Sequence, residues 1–159
     1  MKKEQFTTEV LAAEKSLYHV AKSILGSDED CADAMQNAVM IAFTKLDTLK
    51  EDAFFKTWLT RILINEAYQI VRKRKEQVSW EEYMETQPSE EAGQYSEIYD
   101  AVMKLDKIYR IPFVLHYVEG FSIQEISQML TISAGTVKTR LCRSRNMMRE
   151  VLKGEYGYE

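Results

Sequence analysis

Five cations, Lys138, Arg140, Arg143, Arg145 and Arg149, stand between Gly135 and Arg149 with no acid among them. Their chemistry is recognition of a polyanion. Guanidinium and ammonium groups pair with phosphate oxygens, and arginine can offer two parallel donors to a guanine edge. On a helix, Thr136, Lys138, Thr139, Cys142, Arg143 and Asn146 present a polar front, while Val137, Leu141, Ser144, Met148 and Val151 fall on an apolar back. A second basic set runs from Lys56 and Arg61 to Arg72-Lys73-Arg74-Lys75. Groups that make or break bonds are not assembled: no paired carboxylates, nucleophile triad or phosphate loop stands out. His19 and His116 are isolated, and Cys31 and Cys142 lack zinc-ligand spacing. The expectation is a non-enzyme with no catalytic residue, no metal, no cofactor and no small-molecule substrate.

The C-terminal cations need two helices to aim them. Ser122 with Glu125 three residues on is a capping-box signature, so a helix should start at Ile123, with Ile123, Ile126, Met129 and Leu130 at helical apolar spacing. Thr131-Ile132-Ser133 breaks the pattern, and Ser133 suits the N-cap of the second helix. A helical hairpin with a solvated basic face would account for the charge alone. The caps, the turn length and the polar front together favour a helix-turn-helix whose second helix enters a DNA major groove.

The rest of the 159-residue chain also calls for helices. It has six glycines and only two prolines, Pro88 and Pro112, and little two-residue alternation. The net charge of −4 is unevenly spread. Residues 54–75 carry six basic side chains against one acidic, 76–97 carry seven acids and no base, and 98–159 are again basic on balance. A first helix should run to Leu25 on Val10, Leu17, Val20, Ala21 and Ile24, with Gly26 as its stop. A second, capped by Ser27, should bury Cys31, Met35, Ala38 or Val39, Ala42 or Phe43, and Leu46. It leaves Asp33, Gln36, Asn37 and Met40 as an opposite stripe, which periodicity alone leaves as either a solvated face or a protein-binding one. After a loop at 47–53, a third helix should bury Phe55, Trp58, Leu59, Ile62, Leu63, Ile70 and Val71. Beyond the acidic stretch, apolar order returns at Ile98, Val102, Leu105 and Ile108, and a further helix holding Val114, Leu115 and Val118 should end at Gly120. No apolar run is long enough to span a bilayer and no signal peptide is evident, so a reducing cytoplasm is expected.

Three blocks carry a family resemblance. DEDCADAMQNAVMIAFTKL has an Asp-x-x-Gln core at Asp33 and Gln36; FFKTWLTRILINEAYQIVRKRK has Phe-x-x-Trp-Leu, Arg-Ile, Asn and a basic end; EGFSIQEISQMLTISAGTVKTRLCRSRNMMREVL has Glu-Ile, Gly-Thr-Val-Lys and Arg-x-Arg. In that order, with an acidic linker between the second and third, the chain resembles a bacterial sigma factor of the extracytoplasmic-function class. Asn37 stands where the family tends to carry an acid, Gln69 where it carries Asp, and Thr131 where Gly is common.

The resemblance implies an all-α protein of two small domains: 1–75 like sigma region 2, an acidic linker 76–97, and 98–159 like sigma region 4 with the helix-turn-helix. It implies that Asp33, Gln36, Asn37 and Met40 dock on the clamp of core RNA polymerase. Leu49, Lys50, Glu51 and Asp52 would hold a base flipped from the −10 element, with Lys56, Arg61 and Arg72 tracking the backbone. Thr136, Lys138, Thr139, Arg140, Cys142 and Arg143 would contact the −35 element. Further implied partners are the polymerase β′ clamp and β flap, promoter DNA and an anti-sigma factor, often membrane-anchored in the family. The alternative is an autonomous helix-turn-helix regulator binding an operator without polymerase.

Overall fold

The computed structural model describes residues 1–77 and 96–156, and every regular element among them is helical. The chain divides into two compact units, 1–88 and 89–159. Most of the predicted acidic linker, residues 78–95, lies outside the described residues.

The first unit packs three helices against one another: α1 (Lys3–Ile24), α2 (Asp28–Thr44) and α3 (Phe55–Gln77). Leu17, Val20 and Ile24 of α1 and Leu59, Leu63 and Ile64 of α3 are all buried, and the two helices pack together. The stripe that α2 buries is narrower than expected: Cys31, Ala34, Ala38 and Ala42. Met35, Val39 and Leu46 are only half-buried and Phe43 is exposed. The alanines have no bulk beyond Cβ, so the α2 backbone can approach its neighbours closely and the larger side chains are displaced to the edges. Phe6, missing from the expected core, fills the resulting corner, its ring 5.5 Å from Phe43 and 5.6 Å from Phe55. Trp58, Ile62, Ile70 and Val71 also line the margin rather than the centre.

Gly26 does not end α1 in a left-handed turn. Leu25 leaves the helix extended (φ −105°, ψ 149°), and the only positive-φ glycine among the described residues is Gly120. The reason lies in the next helix. The buried Lys22 ammonium reaches Asp28 at 2.8 Å and the Gly26 carbonyl at 3.4 Å, and the Tyr18 hydroxyl donates to the same Asp28 oxygen at 2.7 Å. An extended connection delivers Asp28 to those donors, and Ser27 caps α2 by accepting from the Asp30 amide at 3.1 Å.

In the second unit α4 (Ser96–Met103) and α5 (Lys107–Phe113) lead into a π-helical turn, Val114–Val118. Pro112 has no amide proton for the helical ladder, and two residues later the turn widens, the Glu119 amide reaching the Val114 carbonyl at 2.9 Å. Gly120, at φ +78°, ends the segment as expected, its amide bonded to His116 and that of Phe121 to Leu115. Val102, Leu105, Val114 and Met148 form the core here. Ile98, Ile108 and Val118, all expected inside, are exposed. The buried Arg110 closes α4 by donating to the carbonyls of Met103 and Leu105. Burial draws its guanidinium below the usual arginine range, while the field of Tyr99 and Asp106 opposes that shift.

Candidate nucleic-acid and polymerase interfaces

The helix-turn-helix is built from α6 (Ile123–Leu130) and α7 (Ala134–Tyr156). Ser122 and Glu125 make both capping-box bonds, at 3.1 and 3.0 Å, and Ser133 accepts from the Thr136 amide at 3.1 Å. Each cap is worth about 1 kcal/mol and fixes where its helix begins. Between them Thr131 adopts the left-handed conformation (φ 57°, ψ 48°), a strained choice for a β-branched residue. The Ser127 hydroxyl bonds the Ile132 carbonyl at 2.5 Å and helps hold the turn.

Val137, Leu141, Ser144 and Met148 are buried along the back of α7, and Ser144 returns its hydroxyl to the Leu141 carbonyl at 2.7 Å. Lys138, Thr139, Cys142, Arg143 and Asn146 are therefore exposed, with Thr136 and Arg140 half-buried. Thr136, Thr139, Arg140 and Arg143 converge on one groove of about 570 Å³, whereas Lys138 and Cys142 lie outside its lining. Ile108 and Tyr109 of α5 also line it, residues that only the tertiary packing brings to this face. The Thr139 hydroxyl donates to the Gly135 carbonyl at 3.0 Å, which leaves its lone pairs outward as acceptors.

The first unit offers two further faces. Asp33, Gln36, Asn37 and Met40 are all exposed on the side of α2 opposite its alanines, and Met40 is 68% exposed. Residues 46–54 fold into two 3-10 turns, Leu46–Thr48 and Asp52–Phe54, joined by Leu49, Lys50 and Glu51. Leu49 is half-buried, while Lys50, Glu51 and Asp52 are open to solvent. Phe54, which the hydrophobic pattern left without a role, stands beside this loop 58% exposed.

The cations of α3 do not form one patch. At roughly 100° per residue, Arg61, Asn65, Tyr68 and Arg72 share a row. Lys56 lies about 140° away from Arg61, toward the loop. Arg74 points about 160° away from Arg72 and pairs with the buried Asp30 of α2 at 2.9 Å. The run 72–75 thus contains one cation with a structural partner inside its own unit, which charge patterning could not separate from its neighbours.

Among the described residues, no helix is long and apolar enough to cross a membrane.

Comparison with known proteins matches residues 10–77 to the Sigma-70 region 2 family and residues 95–148 to Sigma-70 region 4. The chain is 30% identical over 159 residues to the ECF RNA polymerase sigma factor SigW of Bacillus subtilis, covering 86% of this chain and 83% of that protein. It is 27% identical to the RNA polymerase sigma factor SigV of the same organism, covering 98% of both. Among solved structures, the sigma factor RpoE in complex with the anti-sigma factor NepR, from Bartonella quintana, matches with a TM-score of 0.79 and 26% identity. That match covers 96% of this chain and 99% of the other.

Proposed function

The chain belongs to the ECF class of RNA polymerase sigma factors, and we propose that its exposed faces divide promoter recognition between polymerase and DNA. The stripe Asp33, Gln36, Asn37 and Met40 docks on the β′ clamp of core RNA polymerase. The loop Leu49–Asp52 receives a base flipped out of the melted −10 element, with Lys56 beside it and Arg61 and Arg72 following the phosphates. In the second unit, α7 lies in the major groove of the −35 element, while the polymerase β flap holds that unit. Lys138 and Arg140 bind phosphates, Arg143 offers two donors to a guanine, and Thr136, Thr139 and Cys142 approach base edges. Residues 1–75 and 98–159 act as the two domains, and the acidic segment 76–97 joins them.

The observation that carries this reading is one of exposure. Nearly every side chain assigned to polymerase or DNA lies outside the cores, on a face whose opposite side is buried. The work is positioning and strand opening. The polymerase supplies the bond chemistry, so the protein is not itself an enzyme, and it acts in the cytoplasm. The NepR complex of the Bartonella relative supports a similar inhibitory partner here, one that covers these faces until a signal releases them. An autonomous regulator would leave the α2 stripe and the row on α3 without a task.

The test is run-off transcription from a promoter library with core RNA polymerase. Specific transcripts are expected with core plus this protein and none with either alone. Tight binding to a duplex operator without any association with core polymerase would overturn the reading.

A further inference from the structure

Beyond Ala67, no described residue of α3 is fully buried. Ile70 and Val71 are half-buried, and Arg72, Lys73, Arg74 and Lys75 are exposed. A helix end that projects past its core frays unless something ties it down. Here Arg74 Nη2 meets Asp30 Oδ1 at 2.9 Å, and the Asp30 side chain is only 2% exposed. Asp30 occupies the first turn of α2, behind the Ser27 cap and three residues before Asp33. Arg74 lies two residues after Arg72. One ion pair therefore joins the start of the helix that carries the polymerase face to the end of the helix that carries the phosphate row.

We propose that the Asp30–Arg74 pair is a positioning device that fixes the last turns of α3, and with them Arg72, against the first turn of α2. Polymerase docking on α2 is thereby transmitted as a fixed placement of the −10 contacts. Arg74 acts through Asp30 and is not one of the phosphate-binding cations. The inference rests on the assignment of the two faces made above.

The experiment uses the full chain assembled with core RNA polymerase on a promoter identified by run-off transcription. Asp30→Asn, Arg74→Met, the double variant and Arg72→Ala are compared. Folding is followed by circular dichroism, core binding by competition, and strand opening by permanganate reactivity of −10 thymines. Asp30→Asn and Arg74→Met should each reduce opening by roughly tenfold, with core affinity and folded fraction unchanged at the assay temperature. The double variant should be no worse than either single one, because both remove the same contact. If Arg74→Met impairs opening and Asp30→Asn does not, Arg74 is a direct DNA contact and the proposal is overturned. It is equally overturned if both variants lower the melting temperature yet open the promoter like the unmodified protein. Absence of transcripts with the unmodified protein would instead overturn the assignment of the faces, and this inference with it.

Discussion

The two cysteines stand at opposite extremes of exposure. Cys31 is fully buried against the core, and burial pushes its thiol up to about 12, with the carboxylates of Asp28 and Asp30 adding to that shift and Lys22 opposing it. Cys142 stands exposed on the front of α7. Iodoacetamide at mild alkaline pH should modify Cys142 and spare Cys31, as peptide mapping would report. Duplex carrying the −35 element should slow modification of Cys142, and equal labelling with and without DNA would count against its place at the interface. Asp28 makes a second residue-scale prediction. Its hydrogen bonds, from Lys22 first and Tyr18 second, hold its carboxyl below the usual range. Stabilisation from a depressed carboxylate is present above the unfolded value near ~4 and is lost as pH falls through the lower folded value. Urea midpoints measured from pH 5 downward should show this acid loss, and Asp28→Asn should diminish it.

At the scale of elements, the turn between α6 and α7 trades stability for geometry. Thr131 holds a left-handed conformation in which its Cβ crowds the backbone. Thr131→Gly should relieve this strain and stabilise the second unit by about 1 kcal/mol, raising its melting temperature by several degrees. No change in melting would show that the surrounding turn already absorbs the cost. The front of α7 makes a separate prediction. Arg143→Ala should weaken −35 binding by about 1–3 kcal/mol and relax preference at one base pair. Lys138→Ala should instead weaken all sequences alike. Randomised −35 selections would separate the two, and an unchanged sequence preference in Arg143→Ala would remove that residue from base reading.

At the scale of the molecule, the proposed division gives each unit only part of a DNA grip. The front of α7 has a few cations, and neutralising about four phosphates gives a log–log salt slope near −3.6. Binding of the free protein to a −35 duplex should therefore fall by more than a hundredfold between 50 and 200 mM salt. Holoenzyme binding to a complete promoter should be much tighter at 200 mM, because in the proposed arrangement polymerase holds both units on one DNA. Filter binding across a salt series would check both statements. Equal affinity for free protein and holoenzyme would contradict the two-point grip.

The local elements were legible in the sequence. Ser27, Ser122 and Ser133 mark helix starts and Gly120 marks a helix end, because caps and left-handed turns depend on residues within a few positions of one another. The front and back of α7 followed from periodicity for the same reason. Tertiary structure decided what depends on distant partners. It chose the alanines of α2 over Met35 and Leu46 for close packing, and it joined α1 to α2 through extended Leu25 and Ser27 while Lys22 pairs with Asp28. It also brought Ile108 and Tyr109 beside α7 and paired Arg74 with Asp30, 44 residues away. The row Arg72-Lys73-Arg74-Lys75 shows the division most directly. Composition marks all four as basic, but only the position of α2 distinguishes a cation held by its own fold from those facing outward.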